Sequence, residues 1–214
     1  KNVSAIIVSP NNSSSCSTIL KLSKKANIPV IISDIGADSG EYLSYISSDN
    51  KKGAYDIGKI LAEKISNLKI ENPKVAIISI PQKRLNGQER TSGFIKAMNE
   101  SAIKNTNLKQ QSTFSKEETY NFTKELLNEN PDLTAIWLQG SDKYQAALDA
   151  IYESGKKDKV LLVGPEVTTR GFIYVKDSAD MIKEIKVICE AIINRNITPK
   201  YIDFNQIKVE IREE

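Results

Sequence analysis

Apolar positions along this chain keep two rhythms, and the two alternate. Short continuous runs at 3–8 (VSAIIV), 28–33 (IPVIIS), 75–80 (VAIISI), 135–138 (AIWL) and 160–164 (VLLVG) have the length and β-branched content of buried strands. Between them the apolar residues recur every three or four positions, as on one face of a helix. The longest such stretch is YISSDNKKGAYDIGKILAEKISNLK at 45–69. Its first four residues read as a strand, Asp49 or Asn50 as the helix cap, and Ala54, Ile57, Leu61, Ile65 and Leu68 as one buried stripe. A helix through Ala26, capped by Ser13 or Ser14, is predicted to turn Ile19, Leu20 and Leu22 to a sheet, although SPNNSSSCS equally suits a plain serine-rich turn. A helix from near Gly87 should bury Phe94, Ala97 and Met98. Leu108 to Phe114 reads as a strand, and Ser115 with Glu118 as a capping box for a helix ending near Asn128, before Pro131. A further helix is capped by Ser141 and stopped by Gly155. Strand and helix alternating throughout predict an α/β protein with parallel sheets. For residues 74–164 the expectation is four parallel strands, at 75–80, 108–113, 134–139 and 159–163.

Composition narrows the chemistry. The chain has 214 residues, enough for one large domain or two small lobes, and 30 basic against 27 acidic residues are well mixed, which marks no nucleic-acid surface. There is no histidine, so Ser-His and Cys-His catalysis and most zinc or iron sites are excluded. Cys16 and Cys189 have no metal spacing and read as buried thiols or as a disulfide pair. No phosphate-binding glycine loop occurs, and no apolar run is long enough to span a bilayer. The sequence implies no enzyme, metal or cofactor. Its opening two residues before an apolar strand reads as a mature or trimmed piece.

NIPVIISDIGADSG, then SDNKKG with its long helix, KVAIISIP, and ERTSGF follow one another in an order that resembles type I periplasmic binding proteins and the effector domains of lactose-repressor-like regulators. The resemblance covers roughly residues 1–164. It implies two Rossmann-like lobes with parallel sheets: residues 1–49 as part of an incomplete first lobe, 50–164 as the second, and 165–214 as a crossover strand, helix and closing strand returning to the first. In that return GFIYVK is the crossover strand, the helix from Ser178 to about Asn194 turns Met181, Ile185, Ile188 and Ile192 inward, and IDFNQIKVEI closes the sheet. The resemblance also implies a sugar or similar small polar ligand held in a cleft, an extracytoplasmic location, and a membrane permease or receptor as partner. No insertion into the membrane and no direct contact with nucleic acid is expected.

Ligand contacts are expected at the carboxyl ends of the strands, in the crevice of an open sheet. The candidates are Asn11, Asp34, Gln88, Gln139, Ser141, Glu166 and Asp177. Asp34 holds the acidic place that pairs with sugar hydroxyls in such proteins, but Ile35 stands where a basic residue usually follows. Gln88 replaces a ligand-facing basic residue, and Pro165-Glu166 replaces the usual Phe-Asp. Arg90 matches a structural arginine. Trp137 reads as core, with stacking on a sugar face as its alternative. From Pro165 onward a second resemblance competes: PEVTTRGFIYVKDSADMIKEIK and DFNQIKVEIREE are similar to the small C-terminal domain of ribonuclease J. That likeness implies an interaction or oligomerisation domain in a composite chain.

Overall fold

The computed structural model describes residues 3–140 and 143–164, together with the backbone of strands 201–204 and 207–211. It divides into two compact units. Of the described residues, unit 1 holds 3–50, 83–86 and the last two strands, and unit 2 holds 51–82, 87–140 and 143–164.

Unit 1 is built from β1 (Ile6–Val8), α1 (Cys16–Lys25), β2 (Val30–Ser33), β3 (Ser44–Ser48), β8 (Tyr201–Phe204) and β9 (Ile207–Ile211). Its sheet order is β1-β2-β3-β9-β8, parallel through β3 and antiparallel beyond. Two expectations change here. The strand near the start is not buried on both faces: β1 is the sheet's edge, and Ile7 is 48% exposed. The closing segment is a hairpin rather than one strand, with Tyr201 opposite Glu210 and Phe204 opposite Ile207.

In α1 the residues turned inward are Cys16, Leu20 and Ser23, while Ile19 and Leu22 stay exposed. Cys16 is a free thiol whose burial pushes its pKa up. Neither Ser13 nor Ser14 caps the helix. Asn12 organises the turn instead, its Oδ1 accepting from the Ser15 N–H and the Ser14 hydroxyl, both at 2.9 Å.

Unit 2 has α2 (Asn50–Asn67) from Lys51 onward, β4 (Lys74–Ser79), α3 (Leu85–Glu100), β5 (Lys104–Gln110), α4 (Lys116–Glu129), β6 (Ala135–Leu138), α5 (Tyr144–Glu153) and β7 (Leu161–Val163). The four strands are parallel, as expected from the sequence, and the structure orders them β5-β4-β6-β7. Side chains alternate across the central strands. Val75, Ile77, Ala135 and Trp137 pack with Ala54, Ile57, Leu61 and Ile65 of α2 and with Phe94, Ala97 and Met98 of α3. Ala76, Ile78, Ile136 and Leu138 pack with Leu126 and Leu127 of α4 and with Ala147 and Ile151 of α5. Helices therefore cover both faces of this sheet. Each large apolar side chain so buried contributes about 1.5–3 kcal/mol.

Glycine lets α2 and α3 approach closely. A Cβ on Gly93 would sit 2.0 Å from the Lys51 carbonyl oxygen, and one on Gly58 would sit 2.6 Å from Ala97 Cβ. Leu68 falls one residue past α2 and is 49% exposed, so it leaves the predicted stripe. Strand β5 runs 104–110 rather than 108–114. It is an edge strand whose polar sequence, KNTNLKQ, carries no apolar run to reveal it.

Among the described residues no helix is long and apolar enough to cross a membrane, and no cluster of three or more Cys, Asp and Glu could hold a metal ion. The crossover strand GFIYVK and the helix from Ser178, with Met181, Ile185, Ile188 and Ile192, lie outside the described residues, as does Cys189.

Candidate functional site

In unit 1 the carboxyl ends of β1 and β2 lead into 9–15 and 34–37, and the segment Lys83–Asn86 docks against both. Ser13, 1% exposed, anchors that segment: its N–H donates to the Lys83 carbonyl at 3.4 Å, and its hydroxyl accepts from the Leu85 N–H at 3.0 Å. Arg84 Nε donates to the Asn11 carbonyl at 2.9 Å, while the Asn11 residue itself stays exposed.

Asp34 is half-buried and lies just past β2, in the left-handed region at φ 67°. Aspartate tolerates that conformation better than most residues. The position is fixed from both sides. Its N–H donates to the Ile46 carbonyl and its own carbonyl accepts from the Tyr45 hydroxyl, each at 2.9 Å. Its carboxylate Oδ1 accepts from Asn86 Nδ2 at 3.3 Å. Ile35, where a basic partner was looked for, is buried at 5% exposure.

Unit 2 sends the ends of β4 and β6 to one another. Gln139 was expected to face a ligand. Instead it is wholly buried, and its amide is spent inside the fold, with Oε1 accepting from the Ile80 N–H at 3.2 Å and Nε2 donating to Thr91 Oγ1 at 2.7 Å. Its carbonyl accepts from Arg90 Nη1 at 3.2 Å, which gives that arginine the structural role the sequence suggested. Gln88 is exposed and donates from Nε2 to the Gln82 carbonyl at 2.8 Å. Trp137 is core: it is 1% exposed and stacks on Phe94 with 4.1 Å between ring centroids. Ser141, Glu166 and Asp177 lie outside the described residues.

Sequence reasoning missed Asn86 and Ser13 as members of this constellation. Asn86 was read as loop ahead of a helix starting near Gly87, whereas α3 begins at Leu85. Three consecutive docking residues, Arg84, Leu85 and Asn86, carry no motif that a sequence alone would flag.

A mostly parallel α/β unit with polar groups gathered at its strand ends defines a small-ligand binding fold. Residues 1–180 match the model of the periplasmic binding protein domain family, and the chain belongs to that family. It is 31% identical over 172 residues to the ribose import binding protein of Escherichia coli K12, which covers 80% of this chain and 56% of that protein. The chain thus spans about half the length of the curated relatives it matches. A crystal structure of a transporter periplasmic solute binding protein from Actinobacillus succinogenes with bound D-allose matches with 30% identity and TM-score 0.66, over 76% of this chain and 58% of that one. The fold extends further against the fructose binding periplasmic domain of a hybrid two-component system, with TM-score 0.75 over 98% of this chain and 72% of that one at 20% identity. The second likeness is also found: ribonuclease J 2 of Staphylococcus aureus is 29% identical over 77 residues, 34% of this chain and 14% of that protein.

Proposed function

We propose that this protein binds a neutral sugar without transforming it, outside the cytoplasm, and passes the ligand or the signal of its binding to a permease or receptor in the membrane. The observation that carries the reading is Asp34, a half-buried carboxylate at the end of a parallel strand, with Oδ1 held by Asn86. A carboxylate held in this way accepts hydrogen bonds from two ligand hydroxyls at little cost in reorganisation. Relatives named for ribose import and a structure bound to D-allose supply the ligand class. Asn11 and Gln88 join Asp34 as proposed contacts, as do Ser141, Glu166 and Asp177. Gln139 takes a supporting role, tying the end of β6 to the Ile80 N–H just past β4 and to Thr91 within α3. The domain assignment is proposed as 1–49 and 165–214 for one lobe and 50–164 for the other.

A thermal-shift screen with D-ribose, D-allose and other neutral sugars tests this. A ligand at 100 times its Kd adds about 2.7 kcal/mol of stability and raises the melting temperature. No shift with any neutral sugar at millimolar concentration would sink the reading. The likeness to ribonuclease J 2 favours a second reading, in which the end of the chain serves assembly. Light scattering across a hundredfold range of concentration separates them: a monomer throughout rules out assembly of this chain with itself.

A further inference from the structure

Asn86 is the second residue of α3, yet it belongs with unit 1. It is 4% exposed, its Nδ2 donates to Asp34 Oδ1 at 3.3 Å, and its own Oδ1 is buried with no hydrogen-bond partner. Buried amide oxygens are rarely left so, because losing water without a replacement costs stability. The segment that carries Asn86 is held by Ser13 and by Arg84 on Asn11, so the side chain is fixed before any ligand arrives.

The pair is asymmetric in its hydrogen bonding. Asn86 spends a donor on Asp34, and what remains is Asp34 Oδ2 and Asn86 Oδ1, both acceptors and both without a protein donor among the described residues. The adjoining Ile35 brings no charge. Such a pair is completed by hydrogen-bond donors. A carboxylate or phosphate would set acceptor against acceptor and negative charge against Asp34.

We propose that Asn86 reads the ligand beside Asp34, taking a hydroxyl on its free Oδ1 and selecting neutral polyols over sugar acids and sugar phosphates. The proposal rests on the sugar-binding reading above and adds to it a residue and a selectivity. It also assigns Asn86 a second task, orienting the Asp34 carboxylate in place of a basic neighbour.

Calorimetry on the full chain with D-ribose, D-allose and their monodeoxy analogues tests it. Replacing Asn86→Ala should weaken the neutral sugar about tenfold, the loss of roughly one neutral hydrogen bond. More telling is the deoxy series. One analogue should be penalised in the wild type and not in the variant, because the hydroxyl it lacks is the one Asn86 reads. If all analogues weaken by the same factor, or none does, Asn86 only supports the fold and the proposal is overturned. Should Asn86→Ala fail to fold, the wild type still decides: D-ribonate binding within a few-fold of D-ribose overturns the selectivity. A wild type that binds no neutral polyol at all overturns the sugar-binding reading, and this proposal with it. A wild type that binds sugar with Asn86→Ala unchanged overturns this proposal alone.

Discussion

At the scale of residues, Asp34 and Gln139 illustrate opposite outcomes of one sequence signal, a polar side chain ending an apolar strand. Asp34 leaves the strand in a left-handed turn and stays half-buried. Replacing Asp34→Ala should weaken sugar binding by about 1.5–3 kcal/mol for each charged hydrogen bond lost. Unchanged affinity in calorimetry would remove Asp34 from the site. Gln139 turns inward and joins the Ile80 N–H to Thr91. Gln139→Leu should therefore cost about 1–3 kcal/mol in urea unfolding, since it strands a buried backbone donor. If it instead abolished ligand binding without loss of stability, its placement as a support would be wrong. The sequence could not separate these two. Both are polar residues at β-strand ends, and both side chains find partners some fifty to sixty residues away, Asn86 for Asp34 and Ile80 and Thr91 for Gln139, so no local signal tells which side chain is spent inside the fold.

At the scale of elements, periodicity was legible wherever burial was complete. The four residues Ala54, Ile57, Leu61 and Ile65 fill one helix face, and Phe94, Ala97 and Met98 fill another, as their spacing required. It failed at the edges of sheets, where half the pattern faces water: β1 exposes Ile7, and β5 has too few apolar residues to be seen. Leu61→Ala should cost about 2–5 kcal/mol, as a cavity opens beneath α2. Leu68→Ala should stay within about 0.5 kcal/mol of wild type, since Leu68 is an exposed residue past the helix end. Equal losses in denaturant melts would contradict the helix boundary. The start of α4 makes a different test. Ser115 Oγ accepts from the Glu118 N–H at 3.0 Å, but the reciprocal bond of a capping box is absent. Glu118 reaches back instead to the N–H groups of Ser112, Thr113 and Phe114. Partial burial pushes its carboxyl up, and the hydrogen bonds from Ser112 and Thr113 together outweigh that, leaving its pKa below the usual 4.5. A group depressed on folding stabilises above its unfolded pKa, and the gain is lost as pH falls through the folded value. The turn at 112–115 should thus loosen below about pH 4.5 in the wild type. Glu118→Gln should be weaker at neutral pH and lose this dependence; amide exchange at 112–114 against pH reads both.

At the scale of the whole molecule, the contested end of the chain meets the rest through backbone pairing. β9 lies antiparallel to β3, with Ser44 opposite Ile211, Ile46 opposite Val209 and Ser48 opposite Ile207. The sequence supplied the class of this sheet and its apolar runs. It could not supply the pairing, because the register of a strand met some hundred and sixty residues later depends on the intervening fold rather than on any local signal. The pairing has a consequence that tells a single binding domain from a composite chain with an independent end. Removing residues 201–214 takes β8 and β9 away and leaves β3 an open edge beside the wholly buried Ile46. Backbone groups that had partners in the sheet must then find water, and exchange at β3 should accelerate sharply. Unit 2 has its own four-stranded sheet and two apolar clusters, so exchange at β4 and β6 should hold at the wild-type rate. Hydrogen exchange read peptide by peptide distinguishes the cases. Faster exchange at 44–48 with 75–79 and 135–138 unchanged is what a closing hairpin of unit 1 requires. Wild-type protection at 44–48 after the truncation would mean that β9 does not hold β3, and that the ribonuclease-like end stands as a separate module.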